Sequence, residues 1–152
     1  MADPSGLVLD SGVFVRWYVE QEGFEHARRL RAQFLAGEMT LLTTDLARVE
    51  VANVLRKKGL LPGLLSRDDY LQATTDIDAL GVRVEVTTTD VLTRAAALAA
   101  DRSVTVFDAL FVGLALSTGL PLVTADKKLA STAAAIVSTV LLHGVPSDAP
   151  SP

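Results

Sequence analysis

The chain has no cysteine, only two histidines, few aromatic residues and no apolar run long enough to cross a bilayer. The first absence excludes disulfides, thiol nucleophiles and thiolate-bound metals, and suits a reducing compartment. The histidines, His26 and His143, lie far apart in sequence, and neither has a second histidine at ligand spacing. They read as surface residues, which leaves no basis for a histidine-bound zinc site. Met1-Ala2-Asp3-Pro4-Ser5-Gly6 lacks the basic and long apolar regions of a signal peptide. These absences predict a soluble, cytoplasmic protein.

What is present points to an ordered α/β fold. In 152 residues, 49% hydrophobic content drawn mainly from Leu, Val and Ala is enough to build one real core. The domain is expected over residues 1–145, with the Ser- and Pro-rich residues 146–152 as a flexible C-terminal tail. A net charge of −4 argues against a generic nucleic-acid coat, while leaving room for a local basic surface.

Periodicity divides the chain into alternating elements. Leu7-Val8-Leu9 reads as a strand ending at Asp10, with Val13, Phe14, Trp17 and Tyr18 at helical spacing after it. A helix is expected from Glu25 to Gly37, with Leu30, Phe34 and Leu35 inward and Arg28, Arg29 and Arg31 largely outward. A strand over 39–42 follows, and Thr43-Thr44-Asp45 supplies caps for a helix reaching Lys58. Ser66 opens the next helix, which stops at Gly81; Leu60, Leu61, Leu64 and Leu65 before it are more apolar than a solvated loop needs and suggest an interface. Residues 82–86 alternate as a strand, and Thr87-Thr88-Thr89-Asp90 caps an alanine-rich helix. A helix over 106–119 packs along one face, strand 122–124 follows, and a last strand falls within 136–142. The order β-α-α-β-α-α-β-α-α-β-β predicts a parallel sheet flanked by helices.

Four acids stand out against this background. Asp10 and Asp126 each follow a strand, Asp108 lies in the first turn of a helix, and Glu50 borders the buried face of another between Val49 and Val51. A cap or first-turn role accounts for Asp10 or Asp108 taken singly. If the strands are parallel, however, their carboxyl ends share one edge, where open α/β sheets bind ligands. Four carboxylates meeting there repel, and no histidine or buried arginine in these motifs offsets them, so a cation is required. All-oxygen ligation suits Mg²⁺ or Mn²⁺, and metal-assisted phosphodiester hydrolysis is the reaction class that fits. Asp68, Asp69, Asp90 and Asp101 have capping or surface explanations.

These motifs carry a family resemblance. Leu7-Val8-Leu9-Asp10-Ser11, Glu50-Val51-Ala52-Asn53-Val54-Leu55, Val106-Phe107-Asp108-Ala109-Leu110-Phe111-Val112-Gly113 and Leu122-Val123-Thr124-Ala125-Asp126-Lys127 resemble, in order and separation, the PIN domain of VapC-type toxin ribonucleases. The resemblance covers about residues 7–142. It implies a five-stranded parallel sheet in order 3-2-1-4-5 and an acidic quartet, Asp10, Glu50, Asp108 and Asp126, holding Mg²⁺ or Mn²⁺ for RNA cleavage. Ser11, Asn53 and Thr124 match the small polar positions that orient ligands or waters. A homodimer and a cognate VapB-like antitoxin are also implied. Phe107 and Phe111 depart from the family by replacing common tyrosines, removing two hydroxyls. The alternatives are a PIN-fold module that binds RNA or protein without cleaving, and an aspartate-based phosphatase, which lacks its second acid because position 12 is Gly12.

Overall fold

The apolar run at the start of the chain becomes the middle of the sheet. Strand β1 (Ser5–Leu9) pairs in parallel with β2 (Met39–Thr44) on one side and β4 (Leu122–Thr124) on the other. Beyond them β3 (Arg83–Glu85) pairs with β2 and β5 (Thr139–Leu141) with β4, so the order is β3-β2-β1-β4-β5, all parallel. This is the order implied by the resemblance. The structure, a computed structural model, describes residues 5–143; the tail expected over 146–152 lies outside them.

Strand periodicity sorts the core into two layers. Val8 is in register with Leu42 and Leu122, all three on one face, while Leu9 and its partner Val123 point to the other face with Leu41. Both faces are covered, which is why these strands read as continuous apolar runs rather than an alternation. Helices α1 (Ser11–Val15), α2 (Phe24–Leu35), α3 (Asp45–Leu55) and α4 (Arg67–Ala79) cover the Leu9 face through Phe14, Leu30, Val51 and Ile77. Helices α5 (Thr89–Asp101), α6 (Val106–Thr118) and α7 (Lys127–Ala133) belong to the Val8 side. Residues Ala109 through Ala115 of α6 are all buried, not just one face as expected, because α5 packs on the side turned away from the sheet. Among the described residues no helix is long and apolar enough to cross a membrane.

Hydroxyl caps start most of the helices. Thr44, Ser66, Thr88 and Thr105 each accept a backbone amide in the following first turn, three of them at positions the sequence marked. Several boundaries differ from expectation. α1 ends at Val15, the Trp17 amide closes a tighter turn on the Phe14 carbonyl at 3.0 Å, and the Trp17 indole N–H donates to the Ala27 carbonyl of α2 at 3.0 Å. After α3 the chain widens into a π-helical turn, Arg56–Leu60, where a side chain at buried Gly59 would lie 2.6 Å from Leu65 Cδ1. Leu65 thus folds inward, while Leu61 and Leu64 stay exposed. Helix α7 was not anticipated at all, and β5 is shorter than the expected 136–142. In α2, Leu35 is exposed rather than inward, whereas Arg28 and Arg31 lie over the Phe24 and Trp17 rings at 4.8 and 5.7 Å. His26 and His143, remote in sequence, stack with ring centres 4.3 Å apart.

One side-chain bond fastens the sheet just below its carboxyl edge. Buried Thr43 on β2 donates to the Leu9 carbonyl on β1 at 2.8 Å. Thr43→Val keeps the shape and removes the donor. Urea denaturation should show a loss of about 1–2 kcal/mol with an unchanged slope; an unaltered midpoint would remove this bond from the account of the edge.

Candidate active site

Adjacent β1 and β4 deliver two of the four acids to one edge. The Asp10 amide donates to the Val123 carbonyl at 3.1 Å, extending the β1–β4 pairing by one residue. α1 begins at once, and Asp10 caps it: Oδ1 accepts the Val13 amide at 3.2 Å. Its second oxygen accepts the Thr124 hydroxyl, and Thr124 Oγ1 in turn accepts the Asp126 amide at 3.0 Å. Asp126 caps α7, its Oδ1 receiving the amides of Lys128 at 2.8 Å and Leu129 at 3.1 Å. The capping explanation therefore holds for Asp10 and Asp126, and it leaves one oxygen of Asp126 outside the cap.

Asp108 is different. The cap of α6 is Thr105, whose Oγ1 accepts the Asp108 amide at 3.1 Å, so the first-turn carboxylate is not the cap itself. Glu50 sits on α3 between buried Val51 and Val49, which is 69% exposed. All four acids line one open cavity of about 310 Å³, together with Ser11, Gly12, Arg16, Phe111 and Ala125. Thr124 stands behind the cavity as the link between Asp10 and Asp126. Asn53 is not brought there; it lines a neighbouring apolar groove of about 350 Å³ with Leu46, Val49, Glu50 and Phe107.

The electrostatics follow from this crowding. Asp10 is 6% exposed, and burial pushes its pKa up to about 6. The Thr124 hydroxyl and the Val13 and Ala125 amides oppose that rise, while the Asp108 charge adds to it. Asp108 is also raised, first by burial and then by the charges of Asp126 and Glu50, against the pull of Thr105.

Arg16 is the residue that sequence reasoning passed over. It lies in the cavity wall, half-buried, and feels the Asp10 charge, a residue that the search for a buried arginine within the motifs did not single out. Its only signal in the sequence is that it interrupts the apolar stretch from Val13 to Trp17.

Whether the residues suit a divalent cation can be judged from the donors. They are all oxygen, which fits Mg²⁺ or Mn²⁺. Ser11 also lines the cavity, and its buried Oγ has no hydrogen-bond partner, an unmet polar group at the edge of the acidic cluster. Among the described residues no three acids close on a single point tightly enough to ligate an ion by themselves. Mg²⁺ characteristically keeps several waters and takes only one or two carboxylates directly, so a hydrated ion suits a cavity of this width.

The PIN domain family model matches residues 7–135, most of the chain. The chain belongs to the PIN domain family. It is 36% identical over 133 residues to Ribonuclease VapC3 of Pyrobaculum aerophilum, covering 87% of this chain and 98% of that one. Its fold is shared by a toxin-antitoxin complex from Klebsiella pneumoniae (TM-score 0.65, 17% identity, 91% of this chain and 99% of that one). It is shared too by Mycobacterium tuberculosis VapC20, a sarcin-ricin loop cleaving toxin (TM-score 0.65, 16% identity, 82% and 93%). This PIN domain thus has a VapC ribonuclease as a homologue along nearly its whole length.

Asp10 makes the stability of this PIN domain depend on pH. Because its folded pKa is raised from 3.8 to about 6, its contribution is fully present below the unfolded value and is lost as pH rises through about 6. In chelator, wild type should therefore lose stability relative to Asp10→Asn between about pH 4 and pH 7, by up to about 3 kcal/mol. Denaturation curves across this range check this; a pH-independent difference would mean that Asp10 is not a strained carboxylate.

Proposed function

We propose that the acidic cavity is the active site of a Mg²⁺- or Mn²⁺-dependent endoribonuclease, the toxin of a VapBC-type toxin–antitoxin pair. The observation that carries this reading is the meeting of Asp10, Glu50, Asp108 and Asp126, from four separate parts of the chain, around one cavity. The homology to Ribonuclease VapC3 supports RNA as the substrate.

Asp10, Glu50, Asp108 and Asp126 would hold the cation, directly or through its waters. Bound there, it supplies a nucleophilic water at neutral pH and stabilises charge on the phosphoryl group. The chain's own part is positional. Thr124 fixes the Asp10 carboxylate from one side and the Asp126 backbone from the other, so the two strand-end acids cannot drift apart. Ser11 Oγ, buried beside the acids, has an unused donor that would serve to orient a water. Phe111 closes the apolar side of the cavity. In the hydrolysis the water oxygen forms a bond to phosphorus while the bond to the leaving sugar oxygen breaks and that oxygen takes up a proton.

The apolar groove beside the cavity would receive the antitoxin. Leu46, Val49 and Phe107, the last 59% exposed, offer it an apolar surface that reaches the acids at Glu50. Several structures of this fold are toxin–antitoxin complexes, among them VapBC2 from Rickettsia felis, which supports a VapB-like segment as the occupant. A homodimer is the proposed assembly, with Leu61 and Leu64 as exposed candidates for its contact.

Purified protein should cut cellular RNA in Mg²⁺ or Mn²⁺ and stop on chelation. Asp10→Asn and Asp108→Asn should each lower the rate at least about 100-fold, and Thr124→Val about 10- to 100-fold. Cleavage that survives chelator would exclude the metal mechanism. Failure to cut any cellular RNA with either ion would leave a PIN-fold binding module.

A further inference from the structure

Arg16 is held as a tool rather than as a surface charge. Its Nε donates to the Glu22 carbonyl at 2.7 Å and its Nη1 to the Gly12 carbonyl at 2.9 Å. A guanidinium has five N–H donors, and these bonds use two of them, leaving three. Both anchors are neutral backbone carbonyls. Among the described residues Arg16 makes no ion pair, although the four acids line the cavity whose wall it shares. A residue whose task was to neutralise Asp10 would contact it; this one is fixed in place with donors to spare.

Gly12 leaves room for this placement. A Cβ at position 12 would stand 3.2 Å from Arg16 Nη1 and 3.1 Å from Ala125 Cβ, closer than ordinary contacts. Without a side chain there, the guanidinium lies across the start of α1, beside the carboxylate edge. RNA reaching this cavity brings a further negative charge toward four carboxylates. A cation on the acids offsets only their side of the repulsion, and the phosphate's outer oxygens need a donor of their own. The planar fork of an arginine, already ordered by two carbonyls, meets two such oxygens with little further loss of freedom.

We propose that Arg16 is the phosphate-binding residue of this site, donating hydrogen bonds to the non-bridging oxygens of the scissile RNA phosphodiester. This rests on the endoribonuclease reading. Hydrolysis proceeds as described above; Arg16 transfers no proton and makes no covalent bond.

The test compares wild type, Arg16→Lys and Arg16→Ala on a fluorogenic RNA that wild type cuts, with Mn²⁺ affinity measured by calorimetry. Arg16→Ala should lose about 100-fold in kcat/KM and Arg16→Lys about 10-fold, with Mn²⁺ affinity and melting temperature close to wild type. Methylguanidinium should restore at least tenfold to Arg16→Ala and nothing to Asp10→Asn. A loss under threefold, a loss that tracks Mn²⁺ affinity or melting temperature, or no recovery with methylguanidinium would overturn the assignment. If wild type cuts no RNA, the endoribonuclease reading fails, and fluorescence anisotropy with a single-stranded RNA oligonucleotide decides the phosphate contact. Arg16→Ala should then weaken binding at least fivefold and reduce the salt slope by about 0.7; unchanged binding would overturn the proposal.

Discussion

Repulsion among carboxylates governs this molecule. Asp108 is disfavoured as an anion by burial and by Asp126 and Glu50, and Asp10 by burial and by Asp108. A protein selected for stability alone would disperse these charges or neutralise them in contact pairs. Here they come from the ends of two strands, one helix start and one helix flank, and they are kept together by the rigid sheet beneath. The tension is built into the protein's own side chains, and on the proposed reading a divalent cation would relieve it.

The same bonds that build the fold also aim the site. Asp10 caps α1, Asp126 caps α7, and the Thr124 hydroxyl sits between them. Each acid therefore uses part of its bonding capacity for structure and keeps the rest for the cavity. The observed capping role is therefore compatible with the proposed functional one, and neither excludes the other. The double use explains why the positions tolerate little drift: moving Asp126 would uncap a helix as well as widen the cavity.

Much of this could be read before the fold was known. Helical caps at Thr44, Ser66 and Thr88 and the apolar runs at Leu7 to Leu9 and Leu122 to Thr124 announce themselves by residue type alone, because caps and buried strands are local phenomena. The acids were legible because a carboxylate in an apolar segment is costly wherever it falls. The misses share a different cause. α7 is short, carries Ser and Thr, and starts at an acid whose strand-end position hid its capping role. Arg16 looks like a solvated helix residue until the early end of α1 and the bare backbone at Gly12 turn it to the cavity. Asn53 shares a helix with Glu50 but points into the apolar groove, an orientation that depends on how α3 rolls against the sheet. These are consequences of packing between distant segments, which residue spacing does not encode.

The contact between Asp10 and the Thr124 hydroxyl joins residues 114 positions apart. A polypeptide leaving the ribosome exposes Asp10 early, yet that acid has neither its hydroxyl partner nor its neighbours Asp108 and Asp126 until most of the chain has emerged. Central strand β1 must likewise wait for β4 before the edge is complete. The acidic edge is thus one of the last parts of the molecule to be completed, because the order of the elements along the chain sets its two halves at opposite ends of synthesis.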